Sequence, residues 1–241
     1  MTFSPLAPLV DRGILFTLLG QEQLSERIAA LDSLRWHVDM AAKTITFSSE
    51  TNPAQSISAP IELVATIAPG PRSMLWGWAH PQGGPDSPSV ALREYGQQNG
   101  IEMLTTAEVP FPDDAPDGGE SLQQWISATA HDLGTSAVEV TGRRPYYSTP
   151  LGNGSQAVFL LGIDLREPVL SETLVVLPRL LAGEQIRDPR TAIWSLAGHA
   201  GWHLQWTDDR FEGATLTDGV STATFVFSEA GLVTNMQPTL N

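Results

Sequence analysis

The spacing of apolar residues changes several times along the chain, and each spacing predicts a different element. Over 24–34 apolar residues recur every three or four positions, which predicts a helix. From Trp36 onward the period is two, which predicts half-buried strands. Residues 1–12 carry two prolines and are expected to be irregular. The strands predicted in this half of the chain are 36–40, 44–47, 61–68 and 74–79.

The remainder of the chain continues with helical and strand patterns. Ser89 and Gly100 are expected to bound a helix over 90–98, because serine caps helix N-termini and glycine suits the left-handed residue after a helix. A second amphipathic helix is expected to end at Gly134, and the Gly/Pro-rich stretch 143–155 is predicted to be a loop. The other predicted elements are a helix over 191–197 and strands over 158–163, 202–206, 211–216 and 222–227.

These elements predict an α+β protein, with antiparallel sheets that carry amphipathic helices on one face. A helix followed by Trp-His and two strands occurs twice, at Trp36 and at Trp202, so two related lobes are one interpretation. The other is that any helix followed by a half-buried strand looks alike. The acidic Pro/Gly segment 111–120 is the predicted linker or loop between an N-terminal lobe, 1–110, and a C-terminal lobe, 121–241.

The charge balance narrows the classes of partner. The chain has 13 basic residues against 27 acidic ones, a formal net charge of −14, and Lys43 is its one lysine. Such a surface repels phosphate groups, so nucleic acids and anionic membranes are not expected as partners. A small molecule or a protein, in particular a basic one, is the expected class.

Composition also excludes several kinds of chemistry. The chain has no cysteine, which excludes disulfides, thiol nucleophiles and cysteine-type zinc sites. No apolar run approaches the ~18 residues of a membrane-spanning helix. The apolar stretch 14–19 follows Asp11 and Arg12 rather than a basic segment, so no signal peptide is expected and a cytoplasmic location is predicted.

Several short motifs follow one another between about residue 20 and residue 165. They are Trp36-His37-Val38-Asp39, Leu75-Trp76-Gly77-Trp78-Ala79-His80-Pro81, Leu92-Arg93-Glu94-Tyr95-Gly96 and Arg144-Pro145-Tyr146-Tyr147. Over this span the chain resembles an uncharacterised family of bacterial domains of unknown function. Members of that family tend to have Trp-x-Trp-Ala-Asn-Pro at the central run, where this chain has Gly77 and His80. The resemblance implies a shared fold and no particular activity.

The central run is the first candidate binding site. A strand over 74–79 would place both of its tryptophans on one face and the histidine at its end, with the next helix nearby. An indole-walled pocket with a cationic and phenolic rim suits a small amphipathic or anionic ligand. The alternative is that both indoles fill a core between sheet and helix. The candidate residues are Trp76, Trp78, His80, Arg93 and Tyr95.

Two further clusters are weighed in the same way. Arg143, Arg144 and Tyr146 suit the recognition of an anion or a peptide; the alternative is that they pair with acidic residues of the same chain. His199 and His203 have the spacing of a helical metal site, but the neighbouring glycines are expected to end the helix first. Neither a metal nor a cofactor is therefore predicted.

The sequence favours a non-enzymatic binding or interaction protein that acts on a protein or a small molecule. One alternative is an enzyme of unidentified reaction that uses His80 or His203 as its acid or base. Another is an acidic, chaperone-like accessory protein for a basic client.

Overall fold

The computed structural model describes residues 3–85, 87–183 and 186–240. A short 3-10 helix, Ser4–Leu6, precedes the first α-helix. The α-helices are α1 Ala7–Ala29, α2 Pro88–Asn99, α3 Glu102–Thr105, α4 Gly119–Thr141, α5 Leu170–Leu181 and α6 Pro189–His199. The strands are β1 Leu34–Asp39, β2 Thr44–Ser49, β3 Ser56–Ala68, β4 Ser73–Trp76, β5 Glu108–Pro110, β6 Tyr146–Gly152, β7 Ser155–Leu161, β8 His203–Trp206, β9 Gly213–Thr217, β10 Ser221–Phe227 and β11 Val233–Leu240. Helices and antiparallel sheets together confirm the α+β class.

Contact clustering divides the chain into two units. The first comprises the residues up to 9 together with 20–165, and the second comprises 10–19 together with the residues from 166 onward. The segment 111–120 lies within the first unit, where Phe111 packs on the ring of Trp125. These units have different boundaries from the predicted lobes, 1–110 and 121–241. The linker at 111–120 stays a prediction.

The first unit is organised around the long strand β3. Within the described residues, its sheet has the order β1-β2-β3-β4-β5, and β7 pairs with both β3 and β6. All of these pairs are antiparallel. The core of this sheet contains Phe47 and Phe159, and Leu24 of α1 packs on it with Ile28 beside it, as the helical spacing predicts. Helix α4 packs against β3, β6 and β7.

The first helix and the fourth differ from their predicted extents. α1 begins at Ala7 rather than near Leu24, because Pro8 lies in the first turn, where a missing backbone donor costs nothing. α4 continues past Gly134 to Thr141. The glycine is needed there because a Cβ atom would lie 2.4 Å from the ring of Tyr146.

The second unit contains a four-stranded antiparallel sheet of order β11-β10-β9-β8 in the described residues. Alternate residues of β10, including Ala223, Phe225 and Phe227, are buried, in keeping with period-two spacing. β11 is not predicted from the sequence because polar residues and Pro238 obscure its pattern. The two related lobes suggested by the sequence stay a prediction.

Candidate functional site

The tryptophan run does not form a single strand. β4 ends at Trp76, and the chain then turns twice, through hydrogen bonds from Ala79 N to Trp76 O and from His80 N to Gly77 O. The prediction of a strand over 74–79 with both indoles on one face is therefore wrong. Trp76 is fully buried, and its indole N–H donates to Met103 O at 3.0 Å. Its role is structural.

Two glycines make the turns after β4 possible. A Cβ on Gly77 would lie 2.1 Å from Leu63 O, and a Cβ on Gly83 would lie 1.7 Å from Gly77 O. Gly77 thus allows the backbone of Leu63 to approach closely. The sequence gives no reason to expect the second contact, since Gly83 and Gly77 are six positions apart in an irregular loop.

A chain of hydroxyl groups fixes this turn to β3. Trp78 N donates to Ser89 Oγ at 2.7 Å, and Ser87 Oγ donates to Leu63 O at 2.6 Å. The two serine oxygens are 2.7 Å apart, so Ser89 donates to Ser87. Ser87, rather than the predicted Ser89, is also the N-cap of α2, and Gly100 has the expected left-handed conformation at the other end.

Trp78 and Arg93 are the predicted site residues that the structure brings into direct contact. The guanidinium carbon of Arg93 lies 4.9 Å from the centre of the Trp78 ring, a cation–π geometry. Trp78 Nε1 and Arg93 Nε are buried without a hydrogen-bond partner among the described residues. Tyr95 is two positions along α2 and therefore points away from Arg93. The stack occupies the position where the sequence predicts an indole-walled pocket.

His80 holds the second turn. Gln82 N donates to His80 Nδ1 at 3.1 Å, so Nδ1 is unprotonated and the proton of the neutral ring is on Nε2. Burial lowers the pKa of His80. The His80 side chain thus accepts a hydrogen bond from the backbone N–H two residues further along the chain. Asparagine stabilises turns through the same kind of contact.

The residues of the second predicted cluster, Arg143, Arg144 and Tyr146, each contact a different part of the first unit. The stretch from Arg143 begins as a loop, but β6 then pairs with β7, so the predicted loop over 143–155 is wrong for most of its length. Arg143 forms an ion pair with Glu62 of β3. Arg144 is buried, and Gly20 of α1 lies against its side chain, where a Cβ would be 3.1 Å away.

Tyr146 faces a partner that the sequence does not suggest. Its hydroxyl lies 2.6 Å from Nδ1 of His131 on α4. Burial raises the pKa of Tyr146 well above its ordinary value, and burial also lowers the pKa of His131, although the charge of Asp132 acts to raise it. The hydrogen bond therefore joins a protonated phenol to a neutral imidazole. His131 is recognisable only in three dimensions, because its partner is 15 positions away on another element.

The remaining histidine candidates lie in the second unit. α6 ends at His199, whose ring stacks on Phe16 with 4.6 Å between centroids, and His203 begins β8 as an exposed residue. The break between helix and strand removes the helical spacing, as the glycines predict. No group of three or more histidines, aspartates or glutamates suited to a metal is present in the described parts of the chain.

A cavity lies where one edge of β3 changes partner. β2 pairs with residues 56–60 and β4 with 65–68. Ile61 N donates to Lys43 O, and Leu63 O faces Gly77 on the same edge, because alternate residues of a strand point their backbone groups to the same side. The two strands therefore share this edge and leave an interval between them.

The interval is a cavity of about 90 Å³. Its apolar lining is Met40, Ile61, Leu63 and Phe159. Its polar lining is Lys43, Glu62, Gln82 and Ser87. Ser87 is committed to Leu63 O and Glu62 to Arg143, which leaves Lys43 and Gln82 as the remaining polar residues of the lining.

Comparison with known proteins gives a family and no activity. None of the helices in the described ranges combines the length and apolar character needed to span a bilayer. No curated protein and no solved structure matches the chain. The model of a family of unknown function, DUF6882, matches residues 7–164, more than half of the chain. The protein therefore belongs to DUF6882, a family whose function is unknown.

Proposed function

We propose that this protein is a non-enzymatic binding protein. The region matched by the family model, residues 7–164, binds a small anionic group, such as a carboxylate, in the cavity at the edge of β3. The observation that carries the proposal is the interval between β2 and β4, where backbone, Lys43 and Gln82 border one cavity. A cavity of about 90 Å³ is well below the ~300–1,000 Å³ of sites for whole small molecules, so it suits a carboxylate rather than a large metabolite.

The charges around the cavity favour an anion. Glu62 pairs with Arg143, and Lys43 has no ion-pair partner among the residues that the structure describes. In a chain of net charge −14, a cationic site of this kind is locally distinctive. The ligand would belong to a small molecule or to a side chain of a partner protein, in line with the predicted partners.

The same turn supports the finer family resemblance. His80 accepts the Gln82 amide as the asparagine of a Trp-x-Trp-Ala-Asn-Pro motif would, so the substitution preserves the turn that walls the cavity. With that resemblance we also infer a bacterial source and a cytoplasmic location; cell fractionation tests the location. The enzyme and chaperone alternatives stay predictions.

Titration with sodium acetate, followed by amide NMR, tests the proposal. We expect saturable shifts at Lys43, Gln82 and Gly83, compared with sodium chloride at equal ionic strength. Lys43→Gln should weaken binding roughly tenfold or more, because a hydrogen bond to a charged group contributes about 1.5–3 kcal/mol.

Arg35→Gln is the matched control, since Arg35 is an exposed cation on the same β1–β2 hairpin but pairs with Glu50. Its affinity for acetate should equal that of the wild type. If acetate causes no saturable shift, or if Lys43→Gln binds as tightly as the wild type, the proposed site is wrong.

A further inference from the structure

The second unit contains a larger depression that the family match does not cover. It has a volume of about 370 Å³ and lies between α6 and the end of β8. Its lining residues are Arg190, Thr191, Trp194, Trp206 and Phe211. All of them lie beyond residue 164, where the match to the family ends. The volume is within the range of small-molecule sites, ~300–1,000 Å³.

Three aromatic side chains form the walls. Trp194 is 50% exposed and Phe211 is 49% exposed, although both are large and apolar. Trp206 lies between sheet and solvent, with its ring edge-on to Phe211 at 5.2 Å between centroids. Single exposed aromatics are common on protein surfaces, but here three of them line one depression.

The loop before β9 holds Phe211 at this position. Asp208 Oδ1 accepts hydrogen bonds from Arg210 N at 2.9 Å and from Glu212 N at 3.1 Å. Phe211 itself has a φ of +59°, a left-handed conformation that is rare for a bulky residue. The loop therefore retains an unfavourable backbone conformation while its phenyl ring stays half exposed beside Trp206.

Arg190 supplies the charged part of the lining. Its backbone N–H donates to Gly231 O at 3.1 Å, and its side chain runs past Gly231, where Nε would be 3.7 Å from an added Cβ. The neighbouring carboxylate, Asp188, is occupied by the amide and hydroxyl of Thr191. Among the described residues, the Arg190 guanidinium has neither an ion pair nor a hydrogen bond.

We propose that this depression is a second binding site, specific for small aromatic carboxylates. The aromatic body would pack between Trp194, Trp206 and Phe211, and its carboxylate would form a two-point ion pair with the fork of Arg190. A cation that is unpaired among the described residues and lies beside an aromatic lining selects an anion with a flat apolar body, because a cationic ligand would be repelled by the guanidinium. The site is independent of the anion site proposed at β3.

The probe is 3-phenylpropionate, and the uncharged alcohol 3-phenylpropan-1-ol is its matched control. Binding is followed by the indole N–H signals of the full-length protein in NMR, assigned with single Trp→Phe variants. We expect saturable shifts for Trp194 and Trp206 with the acid, no shift for the buried Trp76, and much weaker binding of the alcohol.

Arg190→Gln should weaken binding of the acid roughly ten- to a hundredfold, the loss of one charge-assisted hydrogen-bonded pair. Arg190→Lys keeps the positive charge but loses the two-point geometry of the guanidinium. Its affinity for the acid should lie between those of the wild type and Arg190→Gln. Arg210→Gln, in the same loop as Phe211, should bind as the wild type does. Absence of saturable shifts, equal binding of acid and alcohol, or unchanged affinity in Arg190→Gln would overturn the proposal.

Discussion

At the scale of single residues, several side chains that suggest chemistry have structural roles instead. Trp76 is a core residue anchored to Met103, and Trp78 is covered by Arg93. His80 is committed through Nδ1 to a backbone amide. These roles depend on contacts between particular atoms. A sequence pattern gives the residue types but not the contacts that they make.

The role of His80 predicts how it can be replaced. His80→Asn should keep stability within about 0.5 kcal/mol, because the amide oxygen of asparagine can accept from Gln82 N. His80→Ala should lose about 1 kcal/mol, the usual contribution of one hydrogen bond. Denaturant unfolding of both variants measures the difference, and equal losses would show that the acceptor at this position is unimportant.

At the scale of elements, apolar spacing predicts most helices and strands of the first unit but few of their ends. The helical face of Leu24 and Ile28 and the cap at Gly100 follow from local rules. The end of α4 does not, because Gly134 is required by a ring from another strand rather than by a turn. The cavity was equally unpredictable, since it arises where two strands share one edge of β3.

The turn that closes this edge has a sharp steric requirement. Gly77→Ala should destabilise the protein by about 3 kcal/mol, near the upper end for overpacking, because the added methyl would collide with a backbone carbonyl. Gly70→Ala is the control, since no atom lies within 4 Å of a Cβ there, and it should change stability little. Both are measured by thermal and urea unfolding. A mild effect at Gly77 would mean that the turn can shift.

At the scale of the whole molecule, stability should depend on pH through partly buried histidines. Burial lowers the pKa of His131 below its ordinary 6.5, so the unfolded chain binds the proton more readily than the folded one. The contribution is therefore fully present above pH ~6.5 and is lost as the pH falls toward the lower folded pKa. His80 acts in the same direction.

The measurement is the free energy of unfolding between about pH 5 and pH 8, where histidine is the main titrating side chain. His131→Gln should flatten the decrease below pH ~6.5, whatever its stability at pH 8. His37→Gln, at an exposed strand position, is the matched control for the substitution itself. A slope that His131→Gln does not alter would assign the pH dependence to other groups.

One feature of α1 bears on how this protein should be produced in parts. Its middle, residues 10–19, clusters with the residues beyond 165, although the family match begins at residue 7. Ile14, Leu15 and Phe16 are buried there, and Phe16 stacks on His199. A fragment trimmed to the matched region would keep this apolar stretch and lose its covering side chains. It should therefore be prone to aggregation, so the boundary of homology is a poor guide to where the chain can be cut.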